Sequence, residues 1–265
     1  MQIVIGIVLI LIGGYFLIFN SKKQANDLLE IQSTDTKTID EVREALQAMS
    51  SIDPNYRELV EVKGFAQTNQ PVIAPFSNER VAYYIAKTMQ ISETTETYTD
   101  SDGNRRTRTN KRTDTLSEEE STAPLLLKDN AGNEIVIESN GTSNQFDLQK
   151  ICDRFDNSNI PYQNRNYSNF RLFDINPMNN YRIIGYKKIE EAFRLNCPLY
   201  VFGDAYMLND KIYIGPPKDS SKPFIVTSKS EEQLVKSKKN SKLFSIIGGA
   251  AAIVIGIAVI VAFFI

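Results

Sequence analysis

The sequence predicts a β-rich α+β soluble domain, with a curved or barrel-like sheet, between two transmembrane helices. Uncharged apolar runs at both ends of the 265-residue chain predict the helices. Short β-branched and aromatic runs, separated by Gly, Pro and Asn, predict the sheet. The predicted segments are a transmembrane helix (1–20), a juxtamembrane helical segment (21–57), the β-rich domain (58–228), a charged helix (229–242) and a second transmembrane helix (243–265).

The two apolar runs have the composition of membrane spans. Residues 243–265 carry no charge and are long enough to cross a bilayer at about 1.5 Å per residue. The first run, residues 3–19, is shorter, and a secretory signal is the alternative interpretation. A signal needs positive charge before its apolar core and small residues at a cleavage site. Here no charged side chain precedes the run and NSKK follows it, so we predict an uncleaved anchor.

Lysines flank both apolar runs on the side of the soluble domain, and neither terminus carries a charged side chain. These lysines are Lys22, Lys23, Lys236, Lys238, Lys239 and Lys242. Cytoplasmic flanks of membrane spans are enriched in Lys and Arg. For a prokaryotic plasma membrane we therefore predict a multi-pass protein with a cytoplasmic soluble domain and both termini outside.

Local patterns predict the elements between the anchors. Thr38 and Glu41 have the spacing of a capping box and open a helix over residues 38–50. A long polar hairpin turns at Asp102-Gly103, and a second hairpin follows over residues 123–139. Apolar residues at helical spacing then predict a short helix over residues 146–155.

An Asn-rich stretch, residues 156–181, predicts a long loop, and further strands lead into the charged helix. Two strand segments are similar to each other: VEVKGFA and LYVFGDA share the pattern apolar-x-Val-x-Gly-x-Ala. Glycine inside a strand marks a bulge, a bend or a close backbone approach. The repeated pattern therefore favours a curved or barrel-like sheet.

Residue types exclude most catalytic and metal chemistry. The chain has no histidine, which removes histidine-dependent hydrolysis and histidine-based zinc sites. Cys152 and Cys197 are too few for a four-thiolate zinc site, and a cytoplasmic domain would keep them reduced. No phosphate-binding or dinucleotide-binding glycine motif is present. We predict no catalytic, cofactor-binding or metal-binding residues, and no cofactor.

One arm of the polar hairpin is strongly basic, and it faces an arm that carries Glu93, Glu96, Asp100 and Asp102. A contact with an anion or a lipid headgroup is one interpretation, and cross-strand charge pairing is the favoured one. The basic residues are Arg105, Arg106, Arg108, Lys111 and Arg112.

Aromatic residues in the Asn-rich stretch alternate with Arg165 and Arg171 and could stack on bases. The formal net charge of −2 argues against a nucleic-acid partner, so packing of these aromatics in the core is favoured. They are Tyr162, Tyr167, Phe170 and Phe173.

Small residues recur at four-residue intervals in the second apolar run, at Gly248, Ala252 and Gly256. Such residues let helices approach closely in lipid. The first run offers Gly6 and Gly14. We predict a helix-packing face that serves either the two spans or self-association.

Two long segments resemble the GIDE domain, also called the BAM ("beside a membrane") domain. The first is LVEVKGFAQTNQPVIAPFSNERVAYYIAK, and the second runs from IEEAFRLNCPLYVFGDAYMLNDKIYIGPP through the second apolar run. The order of anchor, domain and anchor is similar to that of the family's mitochondrial outer-membrane RING ubiquitin ligase.

That ligase carries its zinc-binding RING after the second span and holds its domain between two membranes. Here the sequence ends at residue 265 with two cysteines and no histidine, so none of the family's ligase or zinc-ligand residues carries over.

These observations favour a non-catalytic binding or scaffolding module at the membrane face, acting with a protein partner or by self-association. One alternative is a ubiquitin-ligase-like component that recruits a RING or a conjugating enzyme in trans. Another is an oligomeric membrane sensor or stress protein built through the Gly248, Ala252 and Gly256 face.

Overall fold

The computed structural model describes residues 2–157 and 180–264, which form two compact units. We call the first the barrel unit; it comprises Met1–Gln67, Pro124–Asp147 and Asn196–Ile265. The second, the hairpin unit, comprises Thr68–Ala123 and Leu148–Leu195.

The described helices all belong to the barrel unit. Two continuous helical stretches, Ile3–Ser33 and Glu231–Ala262, are long and apolar enough to cross a membrane. A π-helical turn, Phe16–Asn20, lies within the first of these two stretches. The helices are α1 (Gln2–Tyr15), α2 (Ser21–Ser33), α3 (Ile39–Ser50) and α4 (Glu231–Phe264).

The strands confirm a β-rich α+β fold, and a short 3₁₀ turn, Ser143–Gln145, accompanies them. In chain order the strands are β1 (Thr36–Lys37), β2 (Glu58–Gln67), β3 (Val72–Ile73), β4 (Arg80–Thr99), β5 (Arg105–Glu120), β6 (Leu125–Lys128), β7 (Glu134–Ile137), β8 (Phe146–Asp147), β9 (Gln149–Asp156), β10 (Asn180–Arg194), β11 (Pro198–Leu208), β12 (Lys211–Gly215) and β13 (Ile225–Thr227).

Five strands of the barrel unit close into a ring, in the order β2–β6–β7–β12–β11 and back to β2. The pairs are antiparallel except β7–β12, which is parallel. Alternate apolar side chains fill the inside, among them Val60, Val62, Leu127 and Ile214, all inaccessible to solvent. The predicted barrel-like sheet is therefore confirmed.

The two similar segments are neighbours in this ring, because β2 pairs with β11. A Cβ atom at Gly64 would lie 2.6 Å from the carbonyl oxygen of Lys128, and one at Gly203 would lie 2.6 Å from that of Gly215. Both glycines thus allow a close backbone approach between strands, as their positions predicted.

Helix α3 begins as predicted, since the Thr38 hydroxyl accepts from the Glu41 backbone N–H and the Glu41 carboxylate accepts from the Thr38 N–H. Ile39, Val42 and Leu46 form its buried face, which packs on β11 and β2. The capping box at the first turn of the predicted helix is confirmed.

The hairpin unit is a curled antiparallel sheet in the order β3–β4–β10–β9, with β5 also paired to β4. The long hairpin turns as predicted, with Gly103 at φ +80°. Asp100 Oδ1 accepts from the backbone N–H groups of Asp102 (3.1 Å) and Asn104 (2.8 Å) and so stabilises the turn.

The predicted helix over residues 146–155 is wrong, because these residues form β8 and β9. Strand β9 pairs with β10, and cross-strand ion pairs join Asp153 to Lys187 (3.2 Å) and Asp156 to Lys188 (2.8 Å). Tertiary pairing here outweighs a helical spacing of apolar residues. Most of the predicted Asn-rich loop lies outside the described residues, including Tyr162, Tyr167, Phe170, Phe173, Arg165 and Arg171.

Candidate functional site

A groove of about 580 Å³ lies where the barrel meets the start of α4. We call it the junction groove. Strand β2 contributes Lys63 and Gly64, and strand β11 contributes residues 198–200. Residues 228–233, which include the first turn of α4, form the remaining wall. All of these belong to the barrel unit.

A buried carboxylate organises the polar side of the groove. Glu61 is only 1% exposed, and its Oε2 accepts a 2.7 Å hydrogen bond from the Tyr200 hydroxyl. Lys63 Nζ lies 3.0 Å from Glu61 Oε1, and the Thr36 hydroxyl also contacts that carboxylate. Burial of a carboxylate is tolerated here because both of its oxygens have partners.

Lys63 links this buried carboxylate to α4. Its Nζ lies 2.7 Å from Glu231 Oε2 in the first helical turn. A carboxylate in this position also interacts favourably with the helix dipole. The ion pair fastens the start of the apolar helix to strand β2.

Two groups of the cluster, Lys63 and Tyr200, have raised pKa values. Partial burial tends to lower the pKa of Lys63, but the hydrogen bonds that it donates to Glu231 and Glu61 outweigh this effect, and the pKa is raised. Burial, reinforced by the hydrogen bond to Glu61, raises the pKa of Tyr200. A general acid or base needs a pKa near the working pH. Lys63 and Tyr200 therefore suit recognition better than proton transfer.

The two apolar helices pack against each other at glycines. The glycines of α4 that contact α1 are not all those of the predicted face. A Cβ atom at Gly256 would lie 2.7 Å from the Gly6 carbonyl oxygen, and one at Gly249 would lie 2.9 Å from the Gly13 carbonyl oxygen. Gly248 is exposed and would meet no atom within 4 Å, and Gly14 also faces open space. In the contact between α1 and α4, Gly249 and Gly13 replace the predicted Gly248 and Gly14.

Of the other predicted packing residues, Ala252 is half-buried and Gly6 takes part in the contact. The exposed side of α4 that carries Gly248 remains the predicted surface for self-association.

Polar pairs extend the helix contact beyond the glycines. Asn20 Nδ2 donates to Ser245 Oγ at 2.9 Å, and Lys238 Nζ lies 2.6 Å from the buried Asp27 Oδ2. Sequence reasoning missed these pairs. The available signal was Asp27 beside Leu28 and Ile31, a charged residue on the buried face of a helix.

The basic arm of the long hairpin lies opposite acidic residues, in the register that charge pairing requires. Glu96 is opposite Arg108, and Glu93 is opposite Lys111. The short ion pairs join other partners: Arg106 contacts Asp100, Arg112 contacts Asp114 at 2.7 Å, and Arg182 contacts Glu93 at 2.8 Å.

All five basic residues of this arm, which include Arg105, are exposed. Whether they contact an anion or a lipid headgroup stays a prediction.

Neither Cys152 nor Cys197 forms a disulfide. Within residues 2–157 and 180–264, no three His, Cys, Asp or Glu side chains come together as metal ligands.

A family profile described as "E3 Ubiquitin ligase", named GIDE, matches residues 93–262, more than half of the chain. The chain belongs to the GIDE family. No curated protein and no solved structure is significantly similar to it.

The GIDE match covers only some of the residues at the junction groove. It includes Tyr200 and Glu231 but begins after β2, so Glu61 and Lys63 lie outside the matched residues. It also includes α4 through residue 262 but not α1. Strand β2 and helix α1, which contact the matched residues, both precede them in the chain.

Proposed function

We propose that this GIDE chain is a membrane-anchored, non-catalytic module that binds a protein partner at the membrane face. One observation carries the proposal: α4 runs without a break from the junction groove into the candidate span. A partner in the groove would contact the helix that anchors the domain, so recognition and anchoring would share one element. The ion pair of Lys63 and Glu231 supplies polar recognition.

The proposed orientation places the soluble domain in the cytoplasm and both termini outside. The six lysines that flank the two apolar runs support it. Reporters of compartment fused after residue 265 and inserted at Gly103 should report opposite sides of the membrane. A cytoplasmic signal from the C-terminal reporter would overturn this orientation.

A ubiquitin-transfer assay tests the non-catalytic part of the proposal. The full chain, reconstituted in vesicles with ubiquitin, an activating enzyme and a set of conjugating enzymes, should add no transfer above the protein-free rate. Transfer that depends on the chain, and that is lost when one of its carboxylates or serines is replaced, would contradict the proposal.

Site-specific crosslinking tests the binding part. A photoreactive residue at Glu232, which is exposed at the groove, should capture a specific protein in the native membrane. The matched control is the exposed Gln47 on α3. Capture should fall in the Lys63→Glu variant, because the new carboxylate at position 63 is repelled by the carboxylates of Glu61 and Glu231. Equal capture at both positions would count against the groove.

The GIDE match favours one second candidate, a ligase component that acts in trans. In that case the captured partner would be a conjugating enzyme or a RING protein. Adding the chain would then raise the rate of transfer by that partner. A captured partner without this effect would favour the scaffold.

A further inference from the structure

Strand β5 forms a long open edge of the hairpin unit. It pairs with β4 from Arg105 to Glu120 with one irregularity at Leu116, and among the described residues no strand pairs with its other side. An open edge presents a row of unpaired backbone N–H and C=O groups, which is a template for another strand. Neither Pro nor Gly interrupts β5, and threonines favour the extended conformation.

The charges of β5 are divided between its two halves. The first half carries Arg105, Arg106, Arg108, Lys111 and Arg112, and no acidic residue. The second half carries Asp114, Glu118, Glu119 and Glu120, and no basic residue. Most of these charged side chains are exposed, so they are available to a strand laid along the edge.

We propose that β5 pairs antiparallel with β5 of a second copy of this chain, about a two-fold axis near Thr113. This arrangement places the basic half of each strand beside the acidic half of the other. Arg112 would lie opposite Asp114, and Arg108 would lie beside Glu118. Opposite charges on facing strands are stabilising and like charges are destabilising, so parallel pairing is disfavoured. The surface is complementary to itself, as a two-fold dimer requires.

The contacts within one chain leave this pairing available. Within the described residues, Arg105, Arg108 and Lys111 have no ion pair. Glu118 contacts Lys87 at 2.9 Å but its side chain remains 52% exposed. The Tyr84 hydroxyl donates to Glu119 at 2.9 Å and holds that carboxylate at the edge.

Cysteine crosslinking of the full chain in nanodiscs or detergent tests the geometry, in a Cys152→Ser/Cys197→Ser background. Thr113→Cys should form a disulfide-linked dimer on mild oxidation, because the two sulfurs lie near the axis. Thr107→Cys should not, because six residues on each strand separate its two copies by about 40 Å. Equal crosslinking at both positions, or none at Thr113→Cys, would overturn the proposal.

Charge exchange tests the recognition. Arg108→Glu/Arg112→Glu makes β5 mostly acidic, and Asp114→Lys/Glu118→Lys makes it mostly basic. Each variant, carrying Thr113→Cys, should lose crosslinking by about tenfold, and a mixture of the two should recover it as a heterodimer. Recovery also shows that both variants fold.

The matched control is Lys211→Glu/Lys218→Glu, two exposed lysines away from β5, which should crosslink normally. Loss in this control equal to that in the β5 variants would contradict the proposal. So would a failure of the mixture to recover when circular dichroism shows both variants folded.

Discussion

Two adjacent glycines in α4 have opposite surroundings. A Cβ atom at Gly249 would lie 2.9 Å from both the Gly13 carbonyl oxygen and Leu17 Cγ, whereas one at Gly248 would meet nothing within 4 Å. We predict that Gly249→Leu separates α1 from α4 and destabilises their packing by about 1–3 kcal/mol, the usual cost of overpacking. Thermal unfolding in detergent measures this loss.

Gly248→Leu is the matched control, with the same added volume one residue away. It should leave the midpoint of unfolding nearly unchanged. Equal destabilisation by both substitutions would show that the contact between α1 and α4 is not the cause.

The spacing of small residues predicted a packing face containing Gly256. Which of the other small residues of α4 contact α1 depends on where α1 lies, and the sequence of α4 alone does not determine that.

A second change at the residue scale concerns the buried Glu61. Tyr200→Phe removes the hydroxyl that donates to Glu61 Oε2 and leaves a carboxylate oxygen without this partner. We expect a loss of about 1–3 kcal/mol in the free energy of unfolding, because a buried acceptor loses its hydrogen bond. Chemical denaturation measures it. Tyr213→Phe, on a half-exposed tyrosine of the same barrel, is the control and should cost much less.

At the scale of an element, the first turn of α3 depends on one side chain. Thr38→Ala removes the hydroxyl that accepts from the Glu41 N–H, and we expect a loss of about 1 kcal/mol. Ser50→Ala changes the exposed last residue of the same helix and should have a smaller effect. Denaturant midpoints compare them, and equal losses would argue against the cap.

Strands and helices were predictable to different degrees for physical reasons. The long hairpin has local signals, namely alternating β-branched residues and Asp102-Gly103 at the turn. Strand β9 has none: Leu148, Ile151, Cys152 and Phe155 have helical spacing. What makes β9 a strand is β10, which lies far along the chain. The junction groove was missed for the same reason, since Lys63, Tyr200 and Glu231 meet only in the folded barrel.

At the scale of the whole molecule, tyrosine ionisation predicts the response to alkaline pH. Burial, followed by the hydrogen bond to Glu119, raises the pKa of Tyr84 to about 12. Burial and the nearby Glu138 carboxylate raise the pKa of Tyr206 to about 12. In both cases the folded state holds its proton more tightly than the unfolded state, where the pKa is about 10. Stability is therefore fully present below about pH 10 and falls as pH rises towards about 12.

Denaturant unfolding across this range measures the fall. Tyr206→Phe and Tyr84→Phe should each flatten the pH dependence, because each removes one group that titrates differently in the two states. A wild-type profile that stays flat to about pH 12 would contradict the prediction.

Because α4 is one continuous helix, the direction in which the barrel faces depends on the number of residues between the barrel and the apolar part of α4. Each residue of an α-helix turns about 100°, so one residue inserted between Glu231 and the apolar run would turn the barrel by that angle relative to the span. Seven inserted residues would restore nearly the original direction while lifting the barrel by about 10 Å. The number of residues in this charged segment thus sets the distance of the barrel from the apolar part of α4 and the direction in which the barrel faces.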